Sequence, residues 1–147
     1  MTRDRPASPA TVLAFDFGTR RIGVAVGNTV TRTARALTTV SGSTGHARLE
    51  AIRELVDEWQ PQRLVVGVPL HADGTPHAMT MRAQRFAREL AARFGIDVAL
   101  ADERHTTELA QSALDEAGAG RKGRAVRDAL AAQLILQGYL DDAAAGS

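Results

Sequence analysis

Between residues 11 and 40 the chain carries three apolar runs whose linkers are too short to hold a helix. Thr11 to Phe17 reads as a buried strand. Arg21 to Gly27 is a second, after the turn Gly18-Thr19-Arg20, and Arg35 to Val40 is a third. Parallel neighbours need a crossover of roughly a dozen residues or more, so these three strands are expected to be antiparallel neighbours. Downstream the pattern changes to alternating helix and strand. After the loop Ser41-Gly42-Ser43-Thr44-Gly45, a helix is expected from about His46 to Trp59, with Leu49, Ile52, Val56 and Trp59 on one face. Pro61 stops it. Arg63 to Pro69 is an apolar run of the kind that is buried on both sides in a parallel sheet.

A loop with an Asp73-Gly74 turn comes next, and Thr75 and Pro76 read as the N-cap and first position of a helix. That helix places Met79, Ala83, Phe86, Leu90 and Phe94 at core spacing and ends at Gly95. Asp97 to Glu103 is a fifth strand. Thr106 caps a short helix carrying Ala110, Ala113, Leu114 and Ala117. After Gly120-Arg121-Lys122-Gly123 a last helix reaches about Asp142. The order predicts one α/β domain over residues 11–142, a mixed five-stranded sheet flanked by helices. Residues 1–10 are expected to be flexible, as is the tail 143–147.

Composition narrows the function. The formal net charge is +1, with 18 Lys and Arg against 17 Asp and Glu, so a basic surface has to come from clustering. The absence of cysteine excludes disulfides, thiolate zinc sites and a cysteine nucleophile. No apolar run approaches the ~20 residues of a membrane span. No apolar signal core precedes the first strand, which points to a cytoplasmic protein that does not bind membranes.

Against this background three acidic positions stand out. Asp16 interrupts the run Val12-Leu13-Ala14-Phe15, Asp102 and Glu103 end the fifth strand, and Asp128 begins a stripe continued by Ala132, Ile135 and Tyr139. Taken singly, Asp16 suits a turn, Asp102-Glu103 suits the start of the next helix, and Asp128 suits a pair with Arg124 one turn earlier. Together they lie at the ends of core elements, where acids are costly unless paired or holding a cation. Ligands of such sheets collect beyond the carboxyl ends of the strands, and the strands bearing Asp16 and Asp102-Glu103 are expected near the sheet centre. Carboxylates without Cys or His suit Mg²⁺ or Mn²⁺, and two such ions about 4 Å apart activate water for attack on a phosphodiester. Strand alternation says only that Asp102 and Glu103 point to opposite faces.

Each acid also has a cation beside it in sequence. Arg20 and Arg21 follow Asp16, Arg104 follows Glu103, and Arg121, Lys122, Arg124 and Arg127 surround the approach to Asp128. A phosphate-binding nuclease needs that arrangement, although a charge run is by default a solvated helix start. Aromatics are scarce at 4%, which favours recognition of backbone or shape over base stacking. Gly18 allows a tight turn after Asp16, and Gly23 within the second strand permits a neighbour to approach closely. The histidines lack metal-ligand spacing, and Arg82, Arg85 and Arg88 read as the wet face of their helix.

Four segments carry a family resemblance. Asp16-Phe-Gly-Thr-Arg-Arg-Ile-Gly-Val-Ala-Val, Val66-Gly-Val-Pro-Leu with Asp73-Gly-Thr, Asp102-Glu-Arg-x-Thr-Thr, and Asp128-Ala-Leu-Ala-Ala-Gln-Leu-Ile-Leu-Gln-x-Tyr-Leu resemble the YqgF or RuvX family. That family belongs to the RNase H-like, Holliday-junction-resolvase superfamily, and the likeness spans about residues 11 to 141. It implies an RNase H-like fold with three antiparallel strands extended by two parallel ones. It also implies a cytoplasmic nuclease that matures the 5′ end of precursor 16S rRNA, and so serves ribosome biogenesis, or acts on branched DNA. Carried across by motif, the acidic triad is Asp16, Glu103 and Asp128, with Asp102 adjoining it. The implied partners are structured RNA, ribosomal precursor particles or branched DNA, for a monomer or homodimer. A non-catalytic RNA or transcription-associated binding factor is the alternative. An actin-like kinase, whose first phosphate loop Asp16-Phe-Gly-Thr also resembles, would need a second domain.

Overall fold

The computed structural model describes residues 10–103, 112, 114–116 and 123–145. Its elements are β1 (Thr11–Phe17), β2 (Arg21–Asn28), β3 (Thr33–Ser41), α1 (Gly45–Trp59), β4 (Arg63–Val68), α2 (Ala78–Phe94), β5 (Asp97–Asp102) and α3 (Gly123–Ala145). The expected cap at Thr106 and most of the short helix after it lie outside the described residues. The five strands form one sheet in the order β3-β2-β1-β4-β5. β1, β2 and β3 pair antiparallel, whereas β4 and β5 extend the sheet in parallel from β1. β1 is therefore central. β5 is an edge, contrary to the expectation of a central strand: among the described residues it pairs with β4 alone.

β2 shows how sequence sets the two layers. Ile22, Val24 and Val26 point to one face, and Gly23, Ala25 and Gly27 to the other. The bulky face joins Leu13, Phe15, Leu64 and Val66 in a core covered by α1 and α2 through Ile52, Ala83, Phe86 and Leu90. The small face joins Val12, Ala14 and Val65 and is covered by α3 through Ala132, Ile135, Leu136 and Leu140. With so little side chain beneath it, α3 lies almost on the strand backbone. A Cβ added at Gly23 would overlap the Asp128 carbonyl oxygen, and one at Gly27 would come within 2.8 Å of Leu136.

α3 also reaches the outer edge of β3. Gln137 and Gln133 stand one turn apart, and their Oε1 atoms accept hydrogen bonds from the backbone N–H groups of Ala34 and Ala36, each at 3.2 Å. Two alternate donors of an edge strand are thereby satisfied by a helix. The helix runs to Ala145, three residues past the expected end at Asp142.

The start of α2 differs from expectation. Thr75 and Pro76 do not cap it; His77 does, its Nδ1 accepting from the Met79 N–H at 3.1 Å. Thr75 is held in the preceding turn instead. Its N–H and hydroxyl both donate to Asp73 Oδ1, and its carbonyl accepts from the His71 N–H. Pro76 bridges back to Leu70. The hairpin-like turn uses the groups that a cap would need, so the helix begins two residues later.

Two glycines that face opposite environments give a matched test. Gly23→Ala should lower unfolding stability by roughly 3 kcal/mol, since overpacking against a helix backbone has little room to relax. Gly138→Ala, within α3 where an added Cβ meets nothing within 4 Å, should raise it by about 0.5–1 kcal/mol. Urea denaturation of both variants checks the pair.

Candidate active site

The acids meet at the carboxyl edge of the sheet on the α3 side. Asp16 is the penultimate residue of β1 and shares the face of Val12 and Ala14. Its neighbour in register is Gly23, so the missing side chain on β2 admits the α3 backbone and brings Asp128 to the same place. Arg21, two residues before Gly23 on the same face of β2, donates from Nε to Asp128 Oδ2 at 2.7 Å. The Asp128 side chain is 17% exposed and that of Arg21 35%. The expected alternatives for Asp128, full solvation or a pair with Arg124, are thus replaced by a cross-sheet ion pair. At that exposure its net contribution is about 1 kcal/mol or less; its main effect is to orient the carboxylate.

Glu103 follows β5 and lies over Gly67 of β4. A Cβ at Gly67 would fall 2.9 Å from Glu103 Oε2 and 2.5 Å from Ile135 Cδ1. A glycine therefore makes room for this acid, as another does for Asp128. Burial pushes the Asp16 carboxyl up to about 6; the Asp128 charge adds to that effect and Arg127 opposes it. Glu103 is pushed up to about 8 by burial first, then by the charges of Asp16 and Asp102. Asp102 itself ends β5 in register with Val68.

Two clefts share Asp16 as a wall. The larger, about 430 Å³, is lined by Asp16, Arg20, Arg21, Met79, Arg124 and Asp128, among others. The smaller, about 170 Å³, is lined by Asp16, Glu103, Leu114, Arg127 and the α3 side chains Ala131, Leu134 and Ile135. Asp128 and Glu103 thus flank Asp16 on either side. Among the described residues no three carboxylate or imidazole groups converge as a ready metal cage. Asp128 is turned toward Arg21, while burial favours the neutral forms of Asp16 and Glu103.

Arg20, Arg21 and Arg124 line the larger cleft. Arg104, Arg121 and Lys122 lie outside the described residues. Sequence reasoning placed Arg127 in the basic run but not among the contacts; its signal was adjacency to Asp128. Met79 was read as core because it falls on the apolar spacing, yet its place in the first turn of α2 puts it at the cleft.

The comparisons bear directly on this geometry. The family model described as RuvX, Holliday junction resolvase, matches residues 10–142. The chain belongs to the RuvX family. A Nitrosomonas europaea protein named "Putative pre-16S rRNA nuclease" is 56% identical over 136 residues, covering 92% of each chain. A Nitrosospira multiformis protein of the same name is 54% identical over 132 residues, covering 89% of this chain and 87% of its own. Among solved structures, Thermus thermophilus RuvC in complex with a Holliday junction substrate aligns with TM-score 0.57 and 19% identity, over 94% of this chain and 98% of that one. This likeness shows that the RuvX chain has the RNase H-like fold of RuvC. Among the described residues no helix is long and apolar enough to cross a membrane.

The raised carboxyls predict a pH signature. Without divalent cations the folded chain binds more protons than the unfolded chain between the ordinary carboxylate range and the raised values, so stability should fall as pH rises from about 4.5 to about 8. Glu103→Gln should flatten that slope. Melting temperatures measured across this range in EDTA, for both proteins, test the sign.

Proposed function

We propose that this RuvX chain is a metal-dependent nuclease that cleaves phosphodiester bonds, with precursor 16S rRNA as substrate and ribosome biogenesis in the cytoplasm as its setting. What supports the reading is that Asp16 lies beside Asp128 on one side and beside Glu103 on the other, in a chain whose close relatives bear a nuclease name. The residues suit a hard divalent cation. All the donors are carboxylate oxygens, and the two most buried acids carry charge at a cost that a cation would remove. Asp16, Glu103 and Asp128 would hold Mg²⁺ or Mn²⁺, with Asp102 adding charge beside Glu103. When bound, such ions supply charge stabilisation at the phosphoryl oxygens and a nucleophilic water at neutral pH.

The chain's own residues do the rest. Arg20 and Arg124 offer guanidinium groups to the phosphates on either side of the cleft. Arg21 fixes the Asp128 carboxylate through one oxygen and leaves the other available. Burial and the charges of Asp16 and Asp102 push Glu103 toward its neutral form, which a bound cation would oppose. With one Trp, one Tyr and four Phe in the chain, recognition rests on backbone and shape.

A second reading, resolution of branched DNA, is favoured by the family model's description as a Holliday junction resolvase. Ribosomal precursor particles are the natural partners of the first reading, and a homodimer suits the second, which cuts two strands.

End-labelled precursor 16S leader RNA and a four-way DNA junction, each offered with Mn²⁺, Mg²⁺ or EDTA, separate these readings. Cleavage should require the cation and fall at least a thousandfold in Asp16→Asn, about 4 kcal/mol of barrier. Binding should survive. Equal cleavage by Asp16→Asn would sink the acidic-site mechanism.

A further inference from the structure

We propose that the exposed face of α2 is a track for the sugar–phosphate backbone of the substrate beyond the cleavage position, an inference that rests on the nuclease reading above. Most arginines of the described structure have an electrostatic or hydrogen-bonding use within the fold. Arg21 sits on Asp128, Arg53 and Arg93 on Glu50. Arg48 donates to the Thr19 carbonyl and Arg63 to the Tyr139 hydroxyl. Arg82, Arg85 and Arg88 have no such use; the guanidinium groups of Arg20, Arg32 and Arg124 share that lack, but only these three stand in a row on one helix. All three are exposed, and among the described residues none has an ion-pair or hydrogen-bond partner.

Their placement is directional. They occupy positions i, i+3 and i+6 of α2, so they form one row rising about 9 Å along the helix. The opposite face is buried through Ala83, Phe86, Ala87 and Leu90. Met79, one turn before Arg82, lines the larger cleft together with Asp16, Arg20 and Arg124. The row therefore begins within a turn of the acidic site and leads away from it.

Charge on the neighbouring helix gives the row its meaning. α1 covers the same face of the sheet and carries Glu50, Glu54, Asp57 and Glu58 against Arg48 and Arg53. α2 carries four arginines against the single acid Glu89. The balance of signs differs between the two helices, with acids in excess on α1 and arginines in excess on α2. A polyanion leaving the cleft is repelled along α1 and attracted along α2, which makes α2 the path of the flanking strand. Guanidinium groups without internal partners pay no price in broken pairs when they meet phosphates.

The test measures binding in the Asp16→Asn background, so that substrate is not consumed. Affinities for a stem-loop RNA with a single-stranded arm and for a four-way DNA junction are followed from low to high salt. In the triple variant Arg82→Gln, Arg85→Gln, Arg88→Gln, the slope of log affinity against log salt should fall by roughly 2, and affinity should weaken ten- to a hundredfold. Arg32→Gln, exposed in the turn after β2, removes one charge away from the row, is the control for each single variant, and should leave affinity within about twofold. In the active protein the triple variant should raise KM with kcat retained, and an RNA trimmed to a few nucleotides around the cut should not register the change. Loss on RNA alone would assign the track to an RNA strand; loss on both nucleic acids would mean that only phosphates are read. A slope and affinity equal to those of Arg32→Gln would overturn the proposal while leaving the nuclease standing. Failure of the parent protein to bind or cut either substrate would instead remove the nuclease reading. Melting curves confirm folding, and if the triple variant is unstable the single variants should each show about a third of the slope change.

Discussion

The close approach of α3 to β2 over Gly23 is the constraint on which the rest of this structure depends, because two backbones meet there with no side chain between them. Gly23, Ala25 and Gly27 make one face of β2 smooth, and the helix settles onto that face. Asp128 is carried with it to the end of β1, where Asp16 emerges. A helix held a few ångströms further out by ordinary side chains would still bury Ile135 and Leu136, but it would take Asp128 away from Asp16. Packing density at one glycine thus becomes the distance between two carboxylates, and the acidic site inherits the rigidity of the sheet.

Placing three acids at one edge raises an electrostatic problem that the chain resolves differently for each. Asp128 receives a guanidinium from the strand beneath it. Asp16 is shielded from water and opposed by Asp128, with Arg127 as partial relief. Glu103 has burial and two like charges against it, and its carboxyl is the most strongly pushed toward the neutral form. The protein tolerates this because the sheet and its two covering layers do not depend on the acids for cohesion.

Much of this was legible in the sequence. The short links between Phe17 and Arg21 and between Gly27 and Arg35 left only an antiparallel start, and the continuous apolar run Leu64 to Val68 marked a parallel strand. Asp16, Glu103 and Asp128 could be singled out because each breaks a pattern that its neighbours obey. The close approach at Gly23 was equally readable, since a glycine amid Ile22 and Val24 needs a reason. Other features depended on tertiary context. Thr75 has the chemistry of a cap, but Asp73 lies close enough to engage it first. The ion-pair partner of Arg21 lies 107 residues away and is set by the fold alone. β5 has the composition of an inner strand, yet strand order in the sheet places it at an edge.

The same helix that carries Asp128 to Asp16 also shields a strand edge, and this ties two events together. Gln137 and Gln133 occupy the outward N–H groups of Ala34 and Ala36, 103 and 97 residues away along the chain. While the helix is undocked, β3 stays open to foreign strands and Asp128 is away from Asp16. Shielding of the edge and pairing of the acids arrive in one docking event, so whatever loosens the helix exposes the strand and dismantles the acidic pair at once.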